Sequence, residues 1–141
     1  MKILTLRLIH KRQQLETVKV EKAIYLNLSL ENQPYNFLID TGCQQNIIYR
    51  ESLNKKPLNL TQHHSGIVKV YTAAGNAVNC TKISITITLP SDEGKMTNVY
   101  TPFLIMENPR TLTYDGLLGI DFLEKIKGVL DITHSSLSYS L

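Results

Sequence analysis

The chain has little cysteine and no tryptophan, and the scarcity of cysteine narrows the classes of protein it can belong to. Only Cys43 and Cys80 occur in 141 residues. Two cysteines cannot form the disulfide framework that staples small secreted domains. His63-His64 adds two candidate metal ligands, but the tight C-x-x-C spacing of a zinc site is missing. We therefore expect no disulfide scaffold, no bound metal ion and no cofactor.

Strong charge and long apolar runs are also missing. The net charge is +3, and the basic residues form a single short cluster at 10–12, which is more typical of a solvated tail or turn than of a nucleic-acid surface. No segment approaches the ~18 apolar residues of a membrane span. The opening MKILTLRLIHKRQQ is interrupted by Arg7 and has no signal-peptide cleavage site. We expect no nucleic-acid or membrane partner and a cytoplasmic location.

What the sequence does contain is a repeated period of two, the pattern of half-buried β-strands. In AIYLNLSL, apolar residues alternate with Tyr25, Asn27 and Ser29. ENQP then predicts a turn, and YNFLI predicts the returning strand of a hairpin. GIVKVY and AVNCTKISITITL predict a second hairpin around TAAGN, where Gly75 and Asn76 tolerate positive φ. The turn PSDEGK then leads into the strand NVYTPFLIM.

Helix is predicted to be sparse. Ile120, Leu123 and Ile126 are spaced by threes, as on one face of a short helix, and Gly128 suits the position just past its end. The polar segment 50–66 has room for one helical turn at 51–55. VLDITHSSLSYSL predicts one or two closing strands. The sequence therefore predicts an all-β domain, a closed or partly closed β-barrel with one short C-terminal helix.

One carboxylate stands out within this pattern. Asp40 directly follows an apolar strand and is followed by Thr41 and Gly42. Glycine lets the chain turn sharply and leaves its N–H free to meet the carboxylate, and a threonine hydroxyl can brace the turn. A carboxylate at the end of a rigid strand is well placed for catalysis. A turn aspartate that only forms hydrogen bonds with its own backbone would have the same sequence pattern.

Three segments in order carry a resemblance to a known family. FLIDTG, VYTAAGNAV and GLLGIDFL resemble the catalytic triplet, the flap hairpin and the hydrophobic-glycine segment before a short helix of the retropepsin-like aspartic proteases. The resemblance covers roughly residues 16–141, and it is closer to the bacterial, retrotransposon and ubiquitin-shuttle branches than to the retroviral one. Residues 1–15 are left as an N-terminal arm or an extra strand.

The resemblance implies a role for each matched residue. Asp40 would be the catalytic aspartate, Thr41 would form interlocking hydrogen bonds beneath the site, and Gly42 would shape the turn. The flap tip, which closes over the substrate, would consist of Thr72, Ala73, Ala74, Gly75 and Asn76. The residues that pack behind the catalytic loop would be Leu117, Leu118 and Gly119.

The sequence departs from the family pattern beside the triplet and after the second motif. Cys43 stands where alanine or serine is usual, which places an oxidisable thiol next to the site. The flap tip has one glycine. Asp121 stands in the segment where the retroviral branch has an arginine, so the resemblance does not extend to the dimer salt bridge of that branch.

One Asp-Thr-Gly triplet per chain has a stoichiometric consequence. Peptide hydrolysis by carboxylates needs a pair, one acting as base and one protonated. The second must come from another copy of the chain, so we expect a homodimer that cleaves polypeptides with water held between two Asp40 side chains. The alternative, which the same residues also support, is a catalytically silent module of this fold that dimerises or binds peptides.

Overall fold

The protein is a mostly-β fold with two short helices. The computed structural model describes residues 2–5, 7–12, 20–59, 65–71, 74–91, 94–107 and 113–141. The strands are β1 (Lys2–Thr5), β2 (Arg7–Arg12), β3 (Val20–Leu30), β4 (Gln33–Ile39), β5 (Asn46–Tyr49), β6 (Ser65–Tyr71), β7 (Ala77–Pro90), β8 (Met96–Met106), β9 (Gly116–Leu118), β10 (Val129–Asp131) and β11 (Ser136–Tyr139). The helices are α1 (Arg50–Lys55) and α2 (Ile120–Lys125).

Three antiparallel hairpins build most of the large sheet, as the alternation of apolar residues predicts. In the β3–β4 hairpin, Leu30 pairs with Gln33 across the two-residue turn Glu31-Asn32. Both turn residues have positive φ, 49° and 65°, which is the turn geometry that matches the twist of the flanking strands. The hairpins β6–β7 and β7–β8 follow with continuous antiparallel registers.

The large sheet has eight strands in the order β2-β3-β4-β9-β5-β8-β7-β6. Pairing among the described strands does not close it into the predicted barrel, because β2 and β6 remain as its two edges. Instead β3 approaches β7, so the sheet curls over its own core without hydrogen bonds joining its ends. A smaller sheet, β1-β11-β10, carries the chain's last two strands.

Strand β9 pairs with two strands that are distant from it in the sequence. It lies between β4 and β5, parallel to β4 and antiparallel to β5. Gly116 permits this insertion, since a Cβ there would lie 2.1 Å from the carbonyl oxygen of Ile47. The segment after β9 is thereby brought against the segment after β4, the one that contains Asp40.

The core lies on one face of the curled sheet. On β4, Tyr35, Phe37 and Ile39 are buried, whereas the residues between them are half-buried. The same alternation fills the core from β7, where Ile83, Ile85, Ile87 and Leu89 are all buried. The rings of Phe37 and Phe103 pack with centroids 5.6 Å apart.

Both described helices lie against β5, and α2 also contacts β9. Helix α2 buries Phe122 and Leu123, and Ile126 directly after it is also buried, so its predicted apolar face is present. Its last turn closes with the Gly128 N–H donating to the Leu123 carbonyl (2.8 Å), but Lys127 rather than Gly128 takes the positive φ, 52°. The predicted C-terminal helix is α2, and α1 forms where the sequence has room for one helical turn, because Leu53 packs into the core. No helix in the described ranges is long and apolar enough to cross a membrane.

Candidate active site

Asp40 lies at the end of β4, where β9 fixes its backbone. Its N–H donates to the carbonyl of Leu118 (3.0 Å), one step beyond the pairing of Ile39 with Leu118. The side chain is half-buried, in contrast to Ile39, which is in the core. The carboxylate is therefore carried by a two-sided β ladder and still reaches the surface.

The triplet folds into a tight turn. The Cys43 N–H donates to the Asp40 carbonyl (3.1 Å), and the Gly42 N–H donates to Asp40 Oδ1 (3.0 Å). A Cβ on Gly42 would lie 3.2 Å from the same Oδ1, so glycine leaves room for that bond. A turn aspartate of any function makes bonds of this kind. The surroundings of Asp40 therefore have to distinguish a catalytic aspartate from one that only stabilises a turn.

The N-terminus of α2 holds the turn from the other side. The Ile120 N–H donates to the Cys43 carbonyl (2.9 Å), and the Asp121 N–H donates to the Gln44 carbonyl (3.0 Å). Gly119 is wedged against the same loop, since a Cβ there would lie 2.4 Å from the Cys43 carbonyl oxygen. The predicted supporting segment 117–119 is thus in contact with the catalytic-loop candidate, and the contacts are mostly backbone to backbone.

An apolar patch lies on the same sheet face as Asp40. Leu38 precedes Asp40 by two residues, so the two share a face. Leu38 pairs with Leu117, and Leu117 pairs with Ile47, and all three are half-buried. Leu117 and Leu118 therefore face opposite sides of the sheet. Leu118 is buried beneath the loop, whereas Leu117 belongs to the half-buried patch beside the carboxylate.

Three tyrosines border this patch. The ring of Tyr114 lies 5.9 Å from that of Tyr25 and 6.0 Å from that of Tyr49. Burial, with Tyr114 as the next cause, raises the pKa of Tyr49 to about 12, and Cys43 and Asp40 contribute to the rise. The Asp40 carboxylate is therefore within electrostatic range of a phenol that stays neutral at physiological pH.

Thr41 lies on a different surface. It is exposed and borders a groove of about 420 Å³ whose apolar lining comes from Ile120, Leu123 and Leu130. Strand β10 is an edge strand of the small sheet, and its Val129 side chain is 61% exposed. The backbone groups on the outer side of an edge strand are not paired within the sheet.

The predicted flap tip lies in the β6–β7 hairpin. Thr72 and Ala73 fall outside the described residues, whereas Ala74, Gly75 and Asn76 are exposed. Gly75 adopts φ 85°, as expected of a glycine in such a turn. The hairpin also exposes large apolar side chains, with Ile67 at 77% and Tyr71 at 71%.

The comparison with protein families decides the assignment. The sequence profile described as retroviral aspartyl protease matches residues 20–131. This chain belongs to the retroviral aspartyl protease family. The match spans the Asp40 triplet, the β6–β7 hairpin, β9 and α2, which are the segments that resemble the family in the sequence. No curated protein sequence gives a significant match.

Solved structures support the family's fold at low sequence identity. A retropepsin-like aspartic protease from Rickettsia conorii is 20% identical with a TM-score of 0.59, over 96% of this chain and 86% of that one. EIAV protease complexed with the inhibitor HBY-793 is 19% identical, with a TM-score of 0.53 and coverages of 85% and 98%. The retroviral protease-like domain of Ddi1 from Leishmania major is 15% identical, with a TM-score of 0.51 and coverages of 82% and 83%.

Two residues that depart from the retroviral aspartyl protease pattern, Asp121 and Cys43, make contacts with the loop after Asp40. Asp121 Oδ1 accepts a hydrogen bond from Gln44 Nε2 (3.0 Å), so this position tethers the loop of its own chain. The Cys43 thiol is half-buried and lies 3.1 Å from the Gln45 carbonyl oxygen. Within the described ranges, no three His, Cys, Asp or Glu side chains come together as metal ligands.

Sequence reasoning missed several residues around the site. Asn46 is fully buried between the loop that contains Asp40 and β8, and its only sequence signal is a polar residue at the start of an apolar strand. Tyr114 was missed because it reaches the patch through the strand order, which no local pattern encodes. His63-His64 and the remaining part of the polar segment at 60–64 lie outside the described residues.

Proposed function

We propose that the protein is a homodimeric aspartic endopeptidase in which Asp40 of each subunit contributes half of the catalytic pair. The observation that carries the proposal is the placement of Asp40: a half-buried carboxylate on a doubly held turn, with an apolar patch on its own face. Membership of an aspartic protease family supports the reaction class.

The mechanism follows from two carboxylates in contact. Two adjacent carboxyl groups share one proton, because both cannot easily be ionised at short distance. The ionised Asp40 accepts a proton from a water molecule, whose oxygen attacks the carbonyl carbon of the scissile bond. The protonated Asp40 donates a hydrogen bond to the carbonyl oxygen as negative charge develops there. The intermediate collapses as the carbon–nitrogen bond breaks, and the Asp40 that took a proton from water gives it to the leaving amine nitrogen.

The dimer is proposed to form on the surface that contains Thr41. The groove beside Thr41 and the exposed edge strand β10 form a partly apolar surface next to the Asp40 turn. A two-fold axis there brings equivalent residues together, so that Thr41 meets its counterpart beneath the paired carboxylates. In this arrangement one chain alone has half a site.

The substrate is proposed to be a flexible or unfolded polypeptide with apolar side chains at the scissile bond. The half-buried patch of Leu38, Leu117 and Ile47 supplies an apolar surface beside the reacting group. The β6–β7 hairpin, with residues 72–76 at its tip, acts as the flap, and its exposed Ile67 and Tyr71 supply further apolar contact area.

The experiment compares wild type with Asp40→Asn on an unfolded casein substrate from about pH 3 to pH 8. We expect Asp40→Asn to lower kcat by about 10²–10⁴-fold or more while the dimer stays folded. Glu51→Gln, a carboxyl-to-amide change on the exposed face of α1, is the matched control and keeps the wild-type rate.

Two results would contradict the proposal. An Asp40→Asn variant that cleaves casein at the wild-type rate removes Asp40 from the reaction. A wild-type sample that sedimentation shows to be dimeric, and that cleaves nothing across this pH range, assigns the protein to the silent dimerisation or peptide-binding class.

A further inference from the structure

Asn46 is a buried polar residue whose position calls for an explanation. It is the first residue of β5 and is 0% exposed, although the two residues after it, Ile47 and Ile48, are apolar. Burying an amide is unfavourable unless both its donor and its acceptor are bonded. Here both are bonded, to two segments that are distant in the sequence.

The Asn46 amide joins β8 to the start of α2. Its Nδ2 donates to the Pro102 carbonyl (3.0 Å), and its Oδ1 accepts from the Gly119 N–H (2.9 Å). Gly119 is the N-cap residue of α2, with an N–H that needs a partner because it lies ahead of the helix. Asn46 therefore supplies a side-chain acceptor for a backbone group that is wedged against the catalytic-loop carbonyls.

The bond to Gly119 is the first of three that run along one segment. The N–H groups of Gly119, Ile120 and Asp121 donate in turn to Asn46 Oδ1, the Cys43 carbonyl and the Gln44 carbonyl. The residue before them, Leu118, accepts from the Asp40 N–H. The loop that carries Asp40 is thus held along its length by 118–121, and Asn46 supplies the buried side-chain bond of that set.

We propose that Asn46 is a positioning residue for Asp40. Asn46 fixes the Gly119 segment, so that the catalytic loop directs the Asp40 carboxylate towards the equivalent carboxylate of the partner subunit. This inference rests on the proposed endopeptidase function. A loop bond lost here moves the carboxylate rather than the substrate surface, so the effect falls on kcat and leaves KM nearly unchanged. Misplacement of a catalytic group by about 1 Å costs about 10²-fold in rate.

Two variants of Asn46 separate positioning from simple core filling. Asn46→Leu keeps the number of side-chain heavy atoms and the branch at Cγ, and removes both hydrogen bonds. Asn46→Asp keeps the shape; its neutral carboxyl can donate to Pro102 and accept from Gly119, whereas its ionised form has no donor for the Pro102 carbonyl. The matched control is Thr101→Val. Thr101 lies on β8 and is, like Asn46, a fully buried polar residue, and the substitution removes a hydroxyl that donates to the Val99 carbonyl.

We expect a distinct pH dependence for each variant. Asn46→Leu lowers kcat by about ten- to a hundredfold at every pH, with KM within about twofold of wild type. Asn46→Asp approaches the wild-type kcat at acid pH and loses it as the introduced carboxyl ionises. Thr101→Val retains the wild-type kcat and pH profile. Because the ratio of the Asn46→Asp kcat to the wild-type kcat is compared at two pH values, the pH dependence of the Asp40 pair cancels, and the comparison remains decisive if Asn46→Leu fails to fold.

Amide hydrogen exchange gives a readout that does not depend on catalysis. In Asn46→Leu, the Cys43, Gly119 and Ile120 amides lose protection about tenfold or more, while amides of the β7–β8 ladder keep theirs. A folded dimeric Asn46→Leu with wild-type kcat and unchanged loop protection overturns the inference. If wild type itself is inactive but these amides respond as expected, the proposed function fails and the loop-holding role of Asn46 stands.

Discussion

The substitution Gly119→Ala tests the close approach between α2 and the catalytic loop. Gly119 has φ −97° and ψ −165°, an extended conformation that alanine adopts without strain. The obstacle is space: a Cβ would lie 2.4 Å from the Cys43 carbonyl oxygen and 2.5 Å from that of Gln45. Both atoms are backbone, so no side chain can rotate away to make room.

The size of the effect follows from that geometry. Restoring an ordinary contact requires the loop to move by about 1 Å, and overpacking of this kind costs about 1–3 kcal/mol. The movement also weakens the bond from the Gly119 N–H to Asn46, for about 1 kcal/mol more. The lower backbone entropy of unfolded alanine offsets about 0.5 kcal/mol. We therefore expect a loss of about 1.5–3.5 kcal/mol in the free energy of unfolding.

Urea unfolding followed by circular dichroism measures this loss. Gly66→Ala is the matched control, since a Cβ at Gly66 meets nothing within 4 Å, and we expect it to leave stability unchanged or slightly raised. Because the displaced loop carries Asp40, Gly119→Ala should also lower kcat by about 10²-fold. A Gly119→Ala protein as stable as wild type, to within about 0.5 kcal/mol, would refute the packing argument.

Two further predictions concern charge and pH. Lys56→Met should lower the free energy of unfolding by about 1–2 kcal/mol, because Lys56 Nζ lies 2.8 Å from Asp115, whose side chain is 13% exposed. The neighbouring exposed pair of Lys55 with Glu51 makes Lys55→Met the control, with a change under about 0.5 kcal/mol, and equal losses from the two variants would contradict the assignment. Tyr49 has its pKa raised to about 12, so its contribution to stability is complete below the unfolded value near 10 and is lost as pH rises towards 12. Tyr49→Phe should flatten the alkaline fall in unfolding free energy by up to about 1.4 kcal/mol per pH unit, and an unchanged slope in pH-dependent urea titrations would count against a buried phenol.

The hairpins were readable from the sequence because their information is local. A period of two in AIYLNLSL and in KISITITL, with turn residues between, is enough to predict β3, β4, β7 and β8. The short helix α2 was readable for the same reason, from the spacing of Ile120, Leu123 and Ile126. The position of Asp40 at a strand end also follows from local pattern, and the family resemblance supplied its proposed role.

What the sequence could not provide is the placement of distant segments. The insertion of β9 between β4 and β5 depends on contacts across roughly 75 residues of sequence, and no local period encodes it. That insertion brings Leu117 onto the face of Asp40 and Gly119 against the Cys43 carbonyl. The buried role of Asn46 follows from the same event, because the Gly119 N–H that donates to Asn46 Oδ1 reaches it only once β9 is in place. The prediction of a closed or partly closed barrel is confirmed only as far as a mostly-β fold, for a related reason: strand count alone does not fix whether β2 and β6 meet.

The most direct test of the paired-carboxylate account is a subunit-mixing experiment. Wild type and Asp40→Asn are mixed in equal amounts, allowed to exchange subunits, and assayed at a concentration where sedimentation shows dimers. If each dimer needs Asp40 from both chains, only dimers of two wild-type chains are active. The mixture then has about a quarter of the activity of pure wild type at the same total protein concentration. A remaining activity of about half would mean that each chain acts independently, and about three-quarters would mean that one Asp40 per dimer suffices; either result contradicts a shared site.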